Sequence, residues 1–148
     1  MATFVIHEWL WEDSSGVNGR EFQREAFDVI SRLAVSEHQI VIVQGSPFDQ
    51  KAWRLCKRET AVIRAIVTTF VTNLRQNSDR CRILNPGEVT PIPEELAAAT
   101  NQDDHYLLEA QQAVDGAILV TSDGTLREAV RNAGLPCLSR EEFLSAYF

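Results

Sequence analysis

The chain has 148 residues, 45% hydrophobic and 24% charged, with a formal net charge of −7. That length fits one domain with a sizeable core. No apolar run reaches the roughly 20 residues that span a bilayer, so no membrane partner is expected. The first residues pair a short apolar run with no basic segment, which predicts a cytoplasmic protein rather than a secreted one. Cys56, Cys81 and Cys137 are scattered with no CxxC spacing. This argues against a ribbon-type zinc site and for reduced, partly buried thiols.

Thr3–His7 (TFVIH) is β-branched and apolar, and predicts a buried strand. The following EWLWEDSSGVNG ends in turn chemistry, and Trp11 beside Glu12-Asp13 reads as the exposed tryptophan, with Trp9 and Trp53 as packing residues. Across residues 20–36, Phe22, Ala26, Val29, Ile30 and Leu33 share one helical face. QIVIVQ (Gln39–Gln44) predicts a second strand, closed by Gly45-Ser46-Pro47. Ser46 is a good N-cap and Pro47 suits the first helical position. Helical pattern runs through Phe48–Lys57 and again through Thr60–Leu74, before a third short strand at Cys81–Leu84. After a proline-containing loop come a short helical piece at Glu94–Ala99, a helix over His105–Val114 and a strand over Ala117–Thr121. A helix at Thr125–Asn132 with Gly134 as C-cap, a strand in LPCLS and a last helix at Arg140–Tyr147 complete the order. Strands and helices alternate with no repeat or linker. The prediction is a single three-layer α/β/α domain around a parallel sheet of four or five strands.

Charge is unevenly distributed. Residues 1–50 carry three Lys/Arg against eight Asp/Glu, and residues 84–148 carry three against eleven. Residues 51–83 carry eight against two. A basic middle third inside an acidic chain suits a surface that holds phosphates beside an acidic centre, or a solvated helix face. Lys51, Arg54 and Arg58 recur at spacings of three and four, which aligns them on one face of a helix.

Ligands of open parallel sheets sit outside the carboxyl ends of the strands. His7-Glu8 follows the first strand, Ser46 and Asp49 the second, and Thr121-Ser122-Asp123 the fourth. Asp103-Asp104 opens the helix leading into that fourth strand, and a right-handed crossover starts such a helix at the same edge. The acids are therefore expected on one rim.

The element order and the stretch DDHYLLEAQQAVDGAILVTSDGTL, Asp103–Leu126, resemble the PIN domain, a family of small metal-dependent nucleases. In that family an acid opens a helix carrying a leucine and a small residue, and a buried strand then ends in Val-Thr-x-Asp followed by a leucine. Asp104, Leu107, Leu108, Ala110, Val120-Thr121-Ser122-Asp123 and Leu126 fall on this pattern. The closing REAVRNAGLPCLSREEF is similar as well. The resemblance is specific over the last third and follows element order before it. Two positions depart from it. The family's first strand usually ends in Asp, where this chain has His7-Glu8. The family's second acid is usually a Glu early in the next helix, where this chain offers Asp49, with Glu59 too far along.

The resemblance implies a metal-dependent endoribonuclease, with the toxin of a toxin–antitoxin pair as one form. Asp104 and Asp123 would be primary ligands of Mg²⁺ or Mn²⁺ and Glu8 a third. Asp103 or Asp49 would act as an outer, water-orienting acid. Hard cations prefer such oxygen ligands, and a bound cation activates water toward a phosphodiester. Thr121 and Ser122 would bond Asp123 or a phosphate, with Ser46 as an accessory residue, and Lys51, Arg54 and Arg58 would hold the RNA backbone. Implied partners are RNA, an antitoxin or other regulatory protein, and a second copy of the chain. Each acid also has a plainer account: Asp104 and Asp123 cap helices, Glu8 is a solvated loop acid, and His7 is a hydrogen-bonded strand-end residue. The competing function is a PIN-like module that binds RNA or a protein partner without cleavage. A phosphotransfer receiver is rejected, since the third strand ends in Asn85 and no lysine lies beyond Lys57.

Overall fold

The computed structural model describes residues 1–58 and 60–148, apart from the side chain of Arg58. Arg58 as a phosphate contact, and Glu59, therefore lie outside what it describes. In chain order the elements begin β1 (Thr3–Ile6), α1 (Trp9–Ser14), α2 (Arg20–Val35), β2 (Gln39–Val43), α3 (Pro47–Arg58) and α4 (Ala61–Phe70). A π-helical turn over Val71–Arg75 leads to β3 (Cys81–Leu84), α5 (Glu94–Ala99) and α6 (His105–Ala113). The chain closes with β4 (Ile118–Val120), α7 (Gly124–Asn132), β5 (Cys137–Leu138) and α8 (Arg140–Tyr147). All pairings are parallel, in the order β3-β2-β1-β4-β5. This is the three-layer α/β/α architecture that the alternating pattern predicts, with β1 at the centre of five strands.

The strands are apolar on both faces because helices cover both. Phe4, Ile6, Ile40 and Ile42 face a layer built from α1, α2, α3, α4 and α8, while Val5, Val41, Val43 and Leu119 face α5, α6 and α7. The two-residue strand period makes this division. Ala26, Val29, Ile30 and Leu33 of α2 are each at most 1% exposed. Burying a side chain of Val or Leu size stabilises by about 1.5–3 kcal/mol.

The turn chemistry expected after β1 is in place at 15–18, and ahead of it lies a helix that the sequence did not indicate. Residues 9–14 form α1, and Trp11 is fully buried rather than exposed. Its ring packs edge-on to Phe70, 4.7 Å between centroids, and its indole N–H donates to the Phe48 carbonyl at 3.0 Å. Trp9 is buried alongside, donating to the Val120 carbonyl at 3.1 Å. Two large rings outweigh the polar neighbours that suggested exposure. Behind them the Asp13–Arg140 ion pair, 2.6 Å and almost wholly buried, ties α1 to α8.

Helix ends follow their local chemistry. The Ser46 hydroxyl oxygen accepts from the Asp49 amide at 3.3 Å, and Pro47 opens α3. Gly134, at φ +77°, closes α7: its amide donates to the Arg131 carbonyl while that of Leu135 reaches Val130. Ser139 and Glu142 form a reciprocal capping box at α8. Cys81 and Cys137 are buried, which pushes their thiols up to about 12 and about 11, and Cys56 is half-buried. Among the described residues no helix is long and apolar enough to cross a membrane.

The capping box sets a pH test. The Glu142 carboxyl is held down to about 2, first by the Ser139 amide and then by Arg131, whose Nη2 lies 2.7 Å away. A depressed folded pKa contributes stability above the unfolded value and loses it as pH falls through the folded one. The stability gap between wild type and Glu142→Gln should be full above about pH 4.5 and close as pH approaches 2. Urea unfolding across that range measures it, and a gap independent of pH would contradict the assignment.

Candidate functional site

From its carboxyl end β1 leads to β2 and β3 on one side, whereas β4 leads to β5 on the other. The boundary between β1 and β4 is therefore the switch point, where an open parallel sheet leaves a crevice for ligands. His7 stands in that crevice. Its amide donates to the Val120 carbonyl at 3.0 Å, continuing the sheet one residue past β1. Its ring lies between β4 and the start of α6. Nδ1 is 2.8 Å from the Thr121 hydroxyl oxygen, and Nε2 is 3.1 Å from Asp104 Oδ1.

The proton inventory gives this chain a direction. A carboxylate only accepts, so Nε2–H donates to Asp104. In the neutral ring Nδ1 then accepts from the Thr121 hydroxyl. Thr121 Oγ1 in turn accepts the Asp123 amide at 3.0 Å. Asp104, His7, Thr121 and the backbone of Asp123 thus form one continuous network. Carboxylate, imidazole and hydroxyl in series resemble a nucleophilic triad in composition only. Thr121 is fully buried, so its oxygen cannot reach a substrate.

The remaining acids are engaged separately. Glu8 has Lys51 as its nearest cation, Nζ to Oε1 3.9 Å, with both side chains about 30% exposed. Asp49 turns inward and takes two bonds from Arg75, 2.6 and 3.0 Å, plus the Gly45 amide at 2.9 Å. Gly45 sits at φ +75°, a conformation glycine adopts without strain, so the carboxylate pins the β2–α3 turn. These bonds to Asp49 hold the Arg75 guanidinium above its already high ordinary pKa, outweighing burial. Its carbon also lies 5.0 Å over the Trp53 ring. Asp123 caps α7, with Oδ1 accepting the Thr125 and Leu126 amides at 3.0 and 3.2 Å. Asp103 and Ser122 are exposed, and Ser46 is buried in its capping role. His105 Nε2 lies 3.1 Å from the Ala97 carbonyl of α5.

Tyr106 adds a group that the sequence reading did not single out. Its hydroxyl is shut off from solvent without a full hydrogen bond. Burial, then the Glu8 and Asp104 carboxylates, push its pKa above the ordinary range, moderated by the Phe48 backbone. Both carboxylates therefore act on the one hydroxyl. Tyr106 borders an inner cavity of about 10 Å³, too small for anything larger than water, and an open cleft of about 300 Å³ that includes Ser46 and Pro86.

The rim therefore gathers His7, Glu8, Lys51, Asp104, Tyr106 and Thr121, with Asp123 joined through its backbone. It does not gather Asp49, which faces Arg75. Arg54 is exposed on α3, one turn beyond Lys51. Among the described residues no three His, Cys, Asp or Glu side chains form a group that could hold a metal ion. Of the acids implied as Mg²⁺ or Mn²⁺ ligands, Asp104 meets His7 through Oδ1, Asp123 accepts two α7 amides through Oδ1, and Glu8 lies 3.9 Å from Lys51.

No known protein family and no curated protein matches this chain.

The Arg75–Asp49 pair yields a stability test. Arg75→Ala leaves a buried carboxylate without its counter-charge, a change that costs about 3–5 kcal/mol. The Asp49→Ala/Arg75→Ala double variant should be less destabilised than the sum of the two single variants. Urea midpoints of the four proteins measure the coupling, and strict additivity would show that the pair is not a unit.

Proposed function

We propose that this protein is a PIN-like module that binds the RNA backbone at the carboxyl rim of its sheet without cutting it. The observation that carries this reading is that the two acids whose side chains stand at the rim each meet a basic residue, Asp104 at His7 and Glu8 at Lys51. A cation-dependent centre draws its affinity from uncompensated carboxylates, which repel one another until metal arrives. Here Asp104 already accepts a hydrogen bond from His7, and Lys51 offsets part of the Glu8 charge.

Phosphate binding is supported by the basic row on α3. Lys51 stands at the rim beside Glu8, and Arg54 and Lys57 follow, exposed, along the same helix. Exposed Arg82 on β3 belongs to the same basic third of the chain. Such contacts position a backbone without reading its sequence. The second reading, a metal-dependent endoribonuclease, is favoured by the convergence of Glu8 and Asp104 on Tyr106 and by the link from Asp104 to Asp123. In it, Glu8, Asp104 and Asp123 would hold Mg²⁺ or Mn²⁺.

Single-stranded RNA binding measured against salt separates these readings from an inert surface. Each lost phosphate contact lowers the salt slope by about 0.7 for single strands. Lys51→Ala/Arg54→Ala should weaken binding uniformly across sequences and flatten the slope by roughly 1.4. With Mn²⁺ present the RNA should remain intact and the melting temperature unchanged. Cleavage that requires Mn²⁺ and disappears in Asp104→Asn/Asp123→Asn would establish the nuclease instead. An unchanged salt slope would remove RNA from the rim.

A further inference from the structure

The outer surface of the α2/α4 layer carries a feature that the rim does not use. Apolar side chains on a helix usually face the core, yet Phe27 of α2 is 43% exposed and Val62 of α4 is 58% exposed. They flank a groove of about 650 Å³ between the two helices. Ala61, Ala65 and Ile66 line the α4 side, and the small alanines keep the groove open. Contiguous exposed apolar surface with a polar border is the usual mark of an interaction site.

Among the described residues that line it, the border is charged with one sign. Arg20 and Arg24, one turn apart on α2, line the groove and are both exposed. Among the described residues neither has an ion pair, although the chain carries more acids than bases and pairs other exposed arginines locally, as Arg32 with Asp28. An apolar trough beside two unpaired guanidinium groups is complementary to an apolar ridge with carboxylates on its flank. An amphipathic helix presents that shape, its anchors recurring every three or four residues.

Other occupants fit less well. A second copy docking through the same groove would be related by a two-fold axis and would bring like-charged arginines toward each other, trough against trough. A nucleic acid would leave the apolar lining without a partner, since among the described lining residues Phe27 is the one aromatic side chain. We infer that the α2/α4 groove docks an amphipathic helix of a partner protein, with its apolar face on Phe27 and Val62 and its acidic flank on Arg20 and Arg24. This surface is independent of the reading of the rim.

Two synthetic helical peptides test it. They share one apolar face of leucines and differ in carrying glutamates or lysines on the flank. Binding to the full chain is followed by backbone amide chemical shifts. The glutamate peptide should bind at least tenfold tighter than the lysine peptide, with shifts confined to α2 and α4. Arg20→Glu/Arg24→Glu should reverse that preference, and Phe27→Ala should weaken both peptides at least tenfold. Both substitutions fall on exposed positions, so the fold should survive them, and unchanged shifts elsewhere would verify it. Equal affinity for the two peptides, shifts outside the groove, or no binding would overturn the proposal. So would concentration-dependent dimerisation of the free chain that Phe27→Glu abolishes, since the groove would then belong to a second copy.

Discussion

Two strands far apart in sequence meet at the centre of this sheet, and one imidazole closes the seam between their ends. His7 bonds across the seam to Thr121 and outward to Asp104, so β1, β4 and α6 share a single junction. A parallel sheet diverges at such a point, because successive crossovers leave in opposite directions. A side chain that fills the divergence and satisfies partners on both sides fixes how α6 sits over the strand ends. The positions of Asp104 and Tyr106, and through Thr121 that of the Asp123 backbone, all follow from it.

Around that junction two further acids meet cations. Arg75 neutralises Asp49 under the β2–α3 turn, and Lys51 stands near Glu8. These two pairs differ in kind. The Arg75 pair is bidentate, largely dry and joined to a backbone amide, so it acts as a structural brace. The Lys51 pair is long and wet, and such pairs contribute little to stability. Lys51 can therefore exchange its neighbour for a phosphate at small cost, whereas Arg75 cannot.

The layered fold was legible in the sequence because β1, β2 and β4 are short, rich in β-branched residues and apolar on both faces, and each crossover is long enough for a helix. Segment α1 was not. Its polar residues and nearby glycines look like a turn, and only tertiary packing of Trp9 and Trp11 makes it a helix. Gathering the rim residues followed from topology, since strand-end residues of a parallel sheet share an edge. Their partners did not follow. Asp49 and Arg75 are 26 residues apart, and no spacing rule links a helix start to the π-helical turn ending another helix. Nor does a local pattern indicate that Tyr106, the second residue of α6, leaves its hydroxyl dry.

The central place of β1 has a consequence for how the chain is made. Among the strands of this sheet β1 is synthesised before its neighbours, yet β4 on one side is only the fourth of the five, with the His7–Thr121 contact closing a span of 114 residues. Until then Phe4, Val5 and Ile6 can pair only with β2, and the other edge of the central strand stays open. Contacts of such long range are slow to form, and an open apolar edge in the meantime is a template for pairing with other chains. The growing chain is thus most exposed to misassembly until β4 is made, and over residues 1–83 eleven Lys/Arg nearly cancel ten Asp/Glu, so little net charge holds unfinished copies apart.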